Sequence, residues 1–526
     1  MLSPKTAVKG DIMFNILRIP DEVQILSESG CEREAAVRFE ISGGEMKAFL
    51  KADSEYVRFV RLHWNCELNS ATLTLGDKWC RSYADMQWRQ PDCDYYMPWY
   101  FMANCGNVTV GCGVKVRPAS FVCFTCCEAG VTAWLDVRNG GSGVHLCGRE
   151  LAMCTFVNEV YENIGAFEAT KRFCRVMCTD PILPKEPVYG SNNWYYAYGK
   201  SSREEILTDA KLLADLTKGL ENRPFMVIDD GWSINRCNGP WLPKETYGDM
   251  KTLADEFVKL GVKPGIWIRP LCDQTLAAEH PEMCLAQKNG SSEIYLDPTV
   301  PEVQEHLRED LRRIKSWGYK LIKHDFSTVD IFGDYGRHLN GSITKYSDWH
   351  FADITKTSAE IVLDFYRLIR EETEGIVLIG CNTVGHLCAG LVELQRIGDD
   401  TSGRKWGITR AYGVNTLAFR LAQNKAFFMV DADCVGILGK NIPWSLNRQW
   451  LDLLARSGSP LFVSCQPGVL DENGLADLRK AYTVASKQAD VAEPLDWMHK
   501  RIPSKWSING ETVNYDWYTD EPVCEP

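Results

Sequence analysis

From residue 188 to residue 464 the chain repeats one unit: a short apolar run of strand length, then a segment of helical period. The apolar runs are 188–194, Phe225-Met226-Val227-Ile228, Gly265-Ile266-Trp267-Ile268, Tyr319-Lys320-Leu321-Ile322, 376–380, 391–397, 426–430 and 460–464. Between them, helices are predicted at 249–260, 302–318, 352–372, 409–423 and 445–456, with another opened by Ser202 and Glu205 at capping-box spacing. In the 302–318 segment Val303, Leu307, Leu311 and Ile314 fall on one face. Parallel strands need a crossover of a dozen or more residues, and a helix is the usual one. Eight such strands predict an α/β fold, a (β/α)8 TIM barrel. An open doubly wound sheet would carry a glycine-rich phosphate loop after an early strand, and none is present.

The flanks read differently. Residues 1–185 are β-rich, with runs such as 56–60 and 107–110 set between Gly and Asn turns, and no long helical period appears there. An N-terminal β-sandwich is expected over 1–185, followed by a linker-like stretch at Pro181, Pro184 and Pro187 and a catalytic barrel over 186–488. Residues 489–526 read as a small C-terminal β element, with a hairpin at 506–510 and a partner strand at 513–517.

Bulk properties exclude some partners. The chain has 526 residues and a net charge of −12, which disfavours a phosphate backbone, so no nucleic acid is expected. No stretch approaches about 18 consecutive apolar residues, so no membrane span is expected. The opening residues lack the apolar core of a secretory leader, which makes a cytoplasmic location the expectation. The 21 cysteines then read as reduced, buried small hydrophobes. Cys123, Cys126 and Cys127 contain a CxxC, but no second ligand pair accompanies it, so no zinc site is expected. Homo-oligomer formation stays open.

Polar residues that follow barrel strands point into the catalytic face of such a fold. Here they are Trp194 and Tyr195; Asp229 and Asp230; Trp267 and Arg269; Lys323 and Asp325; Cys381 and Asn382; Arg396, Asp399 and Asp400; Asp431 and Asp433. Crowded acids are costly unless a metal, a cation or a hydroxyl network uses them. Lys323 and Arg396 stand among these acids, and a metal shell seldom holds two cations. A sugar fits better: hydroxyls need acceptors, the apolar ring face needs an aromatic, and retaining cleavage needs two carboxyls.

These segments resemble the barrel of glycoside hydrolase family 36, the α-galactosidases, and of the related family 27, over about residues 190–465. Val227-Ile228-Asp229-Asp230-Gly231-Trp232 resembles the family's Asp-Asp-Gly-Trp signature, Leu321-Ile322-Lys323-His324-Asp325 its Lys-aromatic-Asp motif, and Arg396-Ile397-Gly398-Asp399-Asp400 the segment of its acid/base. Asn193-Trp194-Tyr195, Gly265-Ile266-Trp267 and Cys381 also match family positions, as does 431–434. The family's Gly-Leu-Trp-Phe-Glu-Pro-Glu reads here as Gly265-Ile266-Trp267-Ile268-Arg269-Pro270-Leu271. The resemblance implies a retaining exo-glycoside hydrolase acting on α-linked galactose-type residues of an oligosaccharide or glycoside, without cofactor or metal. It implies Asp325 as nucleophile and Asp400 as acid/base, with Trp194, Tyr195, Asp229, Asp230, Trp267, Lys323, Cys381 and Arg396 binding substrate. Lys323 lies on the strand face of Asp325 and should keep it ionised, and a neighbouring aspartate should raise Asp400. His324, on the opposite face, reads as packed, and Asp431 and Asp433 as supports of the barrel mouth. Galactosyl transfer of the raffinose-synthase kind, an α-N-acetylgalactosaminide substrate and a non-catalytic carbohydrate-binding barrel remain open alternatives.

Overall fold

The computed structural model describes residues 14–29, 35–285, 293–333, 341–342, 349–439 and 441–518. Its N-terminal part is two six-stranded antiparallel sheets packed face to face. One contains Glu22–Ser27, Tyr56–Trp64, Gly130–Asp136, Phe121–Cys127, Asp92–Pro98 and Val144–His145; the other runs Ala35–Ser42, Glu45–Ala52, Glu150–Glu162, Val108–Val114, Tyr100–Cys105, Leu73–Gly76. Their inner faces alternate with exposed positions, as in Glu45–Ala52, where Met46, Ala48, Leu50 and Ala52 are buried.

Within the region before residue 185, read as β-rich and without a long helical period, Ala166–Met177 is a helix. It packs Phe167, Thr170, Phe173, Cys174 and Met177 inward, and the polar and small members of that row hide its helical period. Phe173 sits directly over Gly111, where an added Cβ would come within 2.5 Å of the ring.

The barrel is one nine-membered parallel sheet in the order Met429–Asp431, Leu394–Arg396, Val377–Gly380, Leu321–His324, Lys263–Ile268, Phe225–Ile228, Tyr189–Asn192, Leu461–Cys465, Cys434–Ile437. Both ends of that order belong to one stretch of chain. Ala432 and Asp433, the latter at φ +72°, interrupt the seventh strand. Its first half pairs with Leu394–Arg396 and its second with Leu461–Cys465, which closes the cylinder. Inside, Phe225, Val227, Leu321, Ile379, Leu394, Met429 and Phe462 form a separate apolar plug.

Several helices differ from expectation at their ends. The predicted 352–372 helix begins at Ser358, because the Thr357–Glu360 capping box starts it there. The 409–423 segment is a composite: a π-helical turn at Thr409–Asn415 leads into Thr416–Arg420 and a 3₁₀ turn. Helix Glu472–Ala485, not anticipated, completes the eighth unit. Beyond it, Glu493–Pro494, Lys505–Ile508 and Glu511–Asn514 form a small antiparallel sheet. None of the described helices is long and apolar enough to cross a membrane.

Candidate active site

The inward rows of the barrel strands continue into polar residues at one end. Phe225 and Val227 are followed two residues on by Asp229, Leu321 by Lys323 and Asp325, Ile379 by Cys381, and Leu394 by Arg396. Alternation along a strand keeps each series on one face, so apolar plug and polar mouth are the same rows at different heights. Trp194, Asp229, Asp230, Trp267, Lys323, Asp325, Cys381, Arg396 and Asp400 line one pocket of about 400 Å³ at that mouth. Tyr195, also expected to touch substrate, does not line it. The ring is 2% exposed within the barrel, and its hydroxyl donates to Asp433.

Asp325 is 6% exposed and accepts three hydrogen bonds: Trp267 Nε1 at 3.0 Å, Asn382 Nδ2 at 2.7 Å and the Phe326 N–H at 2.7 Å. Burial pushes its carboxyl up, but Arg81, Lys323 and these donors outweigh burial and hold it below the usual carboxylate range. The expected direction thus holds, although the arrangement differs. Lys323 bonds not to Asp325 but to Asp229 at 2.8 Å, and the stronger charge on Asp325 is Arg81. Asn192 Nδ2 donates to the same Asp229 oxygen at 2.6 Å.

Asp400 departs from expectation. Desolvation by the surrounding pocket walls favours its neutral form, yet Arg396 at 3.0 Å, Arg81 at 3.6 Å and Lys323 together hold it below the usual range. Two guanidinium groups prevail because both touch the carboxylate. Asp433, buried behind it and bonded to Arg396 at 2.9 Å, is raised instead, chiefly by burial. Asp433 also accepts from Thr401 N and Oγ1, and Asp431 accepts from the Asp433 N–H, so both brace the mouth. His324 is buried against Phe365 and Tyr366, and burial pushes it down to about 4, so the ring is neutral and packed.

Residues not anticipated complete the wall: Arg81 and Tyr83 from the sandwich, with Arg236, Cys237 and Phe326; Asn382 and Asp399, read from the strand ends, line it as well. Four side-chain-bearing residues just past barrel strands hold left-handed backbone: Tyr198, Phe326, Asn382 and Asp433. For a ring as bulky as Phe326, at φ +67°, that conformation is costly and persists only when the surroundings impose it. Arg269 helps to impose it: its guanidinium lies 4.6 Å from the Phe326 ring centroid and is locked by the fully buried Asp330 at 2.8 Å.

Around this cavity several buried polar atoms have no hydrogen-bond partner: acceptors Asp230 Oδ1 and Asn382 Oδ1, and donors Arg81 Nε and Arg396 Nε. Unpaired buried polar atoms are rare in folded proteins and call for an explanation. A group offering both donors and acceptors, as a sugar hydroxyl does, would satisfy either kind. Among the described residues, the one cluster of three side chains close enough to share a cation is Asp92, Cys93 and Asp94, exposed on the sandwich and outside the pocket.

The fold is similar to that of the family 36 α-galactosidases. The α-galactosidase TtGalA of Thermus thermophilus, in complex with p-nitrophenyl α-D-galactopyranoside, superposes with a TM-score of 0.61 over 94% of this chain and 99% of that one, at 15% identity. AgaB of Geobacillus stearothermophilus, a family 36 α-galactosidase, gives 0.60 over 88% and 68%, at 13% identity. The galactosidase domain of the α-galactosidase–sucrose kinase AgaSK gives 0.56 over 91% and 70%, at 14% identity. No protein-family model and no curated protein matches the sequence. At these identities the likeness concerns the fold.

Proposed function

We propose that this chain is a retaining glycoside hydrolase that removes terminal α-linked galactose-type residues, with Asp325 as nucleophile and Asp400 as acid/base. The observation that carries the reading is that both carboxyls line one sugar-sized pocket and flank a single guanidinium, Arg81, at 3.9 Å and 3.6 Å. Asp325 suits attack on an anomeric carbon: it is ionised, and Trp267, Asn382 and a backbone N–H fix its orientation. Asp400 suits proton transfer because it is the most open carboxyl of the cluster, its side chain 46% exposed where that of Asp325 is 8% exposed. A bound sugar strips water from it, and desolvation raises a carboxyl toward the protonated state that a general acid needs. In the first step Asp325 bonds to the anomeric carbon while Asp400 gives its proton to the departing oxygen. In the second, Asp400 takes a proton from water, which displaces Asp325.

The galactose-type reading draws on the Asp229-Asp230-Gly231-Trp232 segment and on the substrate seen in the Thermus thermophilus relative. The test is Asp325→Ala assayed on p-nitrophenyl α-galactoside with and without azide. Turnover should be lost, and azide should restore release of nitrophenol with formation of a β-galactosyl azide, since azide enters from the face the aspartate vacates. Near wild-type turnover by the variant would reject the nucleophile assignment. A wild-type protein inert toward every α- and β-glycoside of a broad panel would reject the function.

A further inference from the structure

The barrel mouth is not built by the barrel alone. Strands Leu73–Gly76 and Asp92–Pro98 of the two sandwich sheets are joined by residues 77–91, and this segment enters the pocket. The barrel grips it at several points. Arg420, 1% exposed, donates to the Cys80 carbonyl at 2.6 Å and pairs with the buried Asp77 at 3.0 Å. Ser82 N–H donates to the Ile397 carbonyl at 2.8 Å, its hydroxyl lies 2.9 Å from that of Thr416, and Asn415 donates to the Met86 carbonyl at 2.9 Å. Ser82 thereby forms a parallel bridge to Gly398 and extends the Leu394–Arg396 strand edge just before Asp399 and Asp400. Position 398 takes no side chain at this close approach, since an added Cβ would meet the Tyr412 carbonyl oxygen at 2.2 Å.

Between these anchors stands Arg81, 5% exposed. Its Nη1 contacts Asp399 at 2.9 Å and Asp400 at 3.6 Å, while its Nη2 contacts Cys381 Sγ at 2.9 Å and Asp325 at 3.9 Å. One rigid planar fork therefore touches the ends of three different barrel strands. Lys323 and Arg396, the other buried cations of the pocket, are committed elsewhere: Lys323 to Asp229, Arg396 to Asp400 and Asp433.

We infer that Arg81, supplied by the sandwich, is a positioning residue of the proposed hydrolysis, holding the nucleophile and acid/base segments in register across the pocket. The inference rests on the functional reading above. Its consequence is that the sandwich is a working part of the active site, not only a neighbour of it. Arg81 also supplies positive charge to both carboxyls at once, so its loss should let both rise. Asp400 is otherwise faced by Arg396 and Lys323 as cations and by Asp433, Tyr195 and Tyr198; Asp325 by Lys323, Cys381, Asp330 and His324. None of these substitutes for a cation lying between the two.

The experiment compares Arg81→Met and Arg81→Lys with wild type on p-nitrophenyl α-galactoside across pH. Arg81→Met should lower kcat/KM roughly 100-fold, as loss of one oriented charged donor does, and move both limbs of the pH profile of kcat, which reports the sugar-bound enzyme, to higher pH. The acidic limb moves because Asp325 must be ionised, and the basic limb because Asp400 must be protonated. Arg81→Lys should keep the limbs in place and lose kcat, since an ammonium cannot reach Asp399 and Cys381 together. Titration of 13C-labelled aspartate carboxyls in wild type and Arg81→Met reads the same upward move without turnover. Should Arg81→Met not fold, Asp399→Asn removes the 2.9 Å anchor of the same guanidinium and should lower kcat more than it changes KM. Folded Arg81→Met with unmoved carboxyl titrations and kcat/KM within about threefold of wild type would overturn the inference, as would an Asp399→Asn variant with wild-type kcat. A wild type that turns over no glycoside would overturn the proposed function, leaving the carboxyl titrations to decide on Arg81.

Discussion

Lys323 places its ammonium 2.8 Å from Asp229 on the neighbouring strand but one, although Asp325 lies two residues along its own strand. The nucleophile candidate is thus kept ionised from a distance by Lys323 and at closer range by Arg81, Trp267 and Asn382. The lysine's direct task is to hold Asp229, which also receives the Asn192 amide.

That division of labour predicts a coupled pair. Lys323→Met leaves Asp229 buried without its cation, a change that typically costs about 3–5 kcal/mol. The double variant Lys323→Met/Asp229→Asn removes the stranded charge and should recover most of that loss in denaturant unfolding, while activity on p-nitrophenyl α-galactoside stays abolished. Additive losses in the double variant would show that the two side chains do not act as a pair.

His324 makes a prediction in stability alone. Its ring is pushed down to about 4 by burial, from an unfolded value of about 6.5. Between these values the unfolded chain binds the extra proton, so the contribution is fully present above pH 6.5 and is lost as pH falls toward 4. His324→Phe removes this dependence, and the ring's Nε2 has no partner to lose. Relative to wild type, the variant should gain up to about 1.4 kcal/mol per pH unit across that window. Parallel unfolding curves at pH 7.5, 5.5 and 4.5 that keep a constant offset would contradict it.

Much of this site could be read from residue order, for a physical reason. Barrel strands alternate strictly, so Leu321, Lys323 and Asp325 had to share a face, and the helix-length spacing between apolar runs left few folds that could use them. Arg81 could not be read this way. It lies 318 residues before its partner Asp399, in a segment between two sandwich strands, and no local period marks it. The left-handed backbone at Phe326 was equally hidden, because Arg269 and Asp330 enforce it through tertiary contacts where the sequence shows only a replaced glutamate position. Tyr195 erred in the other direction: its place after the first barrel strand and its match to a family position implied substrate contact, but the Trp194–Ala197 helical turn sends the two rings to different sides, one to the pocket and one to Asp433. The low carboxyl of Asp400 follows from the same gap, since the charge that tips it includes the unforeseen Arg81.

Asp230 should trade stability for binding. Its side chain is 6% exposed, one carboxylate oxygen has no protein partner, and burial together with the charge of Asp229 pushes it up to about 6, against a 3.4 Å contact from Arg236. A carboxyl raised in the folded state contributes stability that is present at low pH and lost as pH climbs through its folded value. At pH 7.5 the folded protein therefore carries an ionised group its surroundings disfavour. Asp230→Asn relieves this, and should raise the unfolding free energy at pH 7.5 by about 1–3 kcal/mol, with the gain vanishing near pH 4. The same change weakens a charge-assisted acceptor for a sugar hydroxyl, so kcat/KM should fall roughly ten- to hundredfold, mainly through KM. Wild-type KM should in turn be lowest above about pH 6, where Asp230 is ionised. A variant that is both less stable at pH 7.5 and unchanged in KM would show that Asp230 serves the fold and not the ligand.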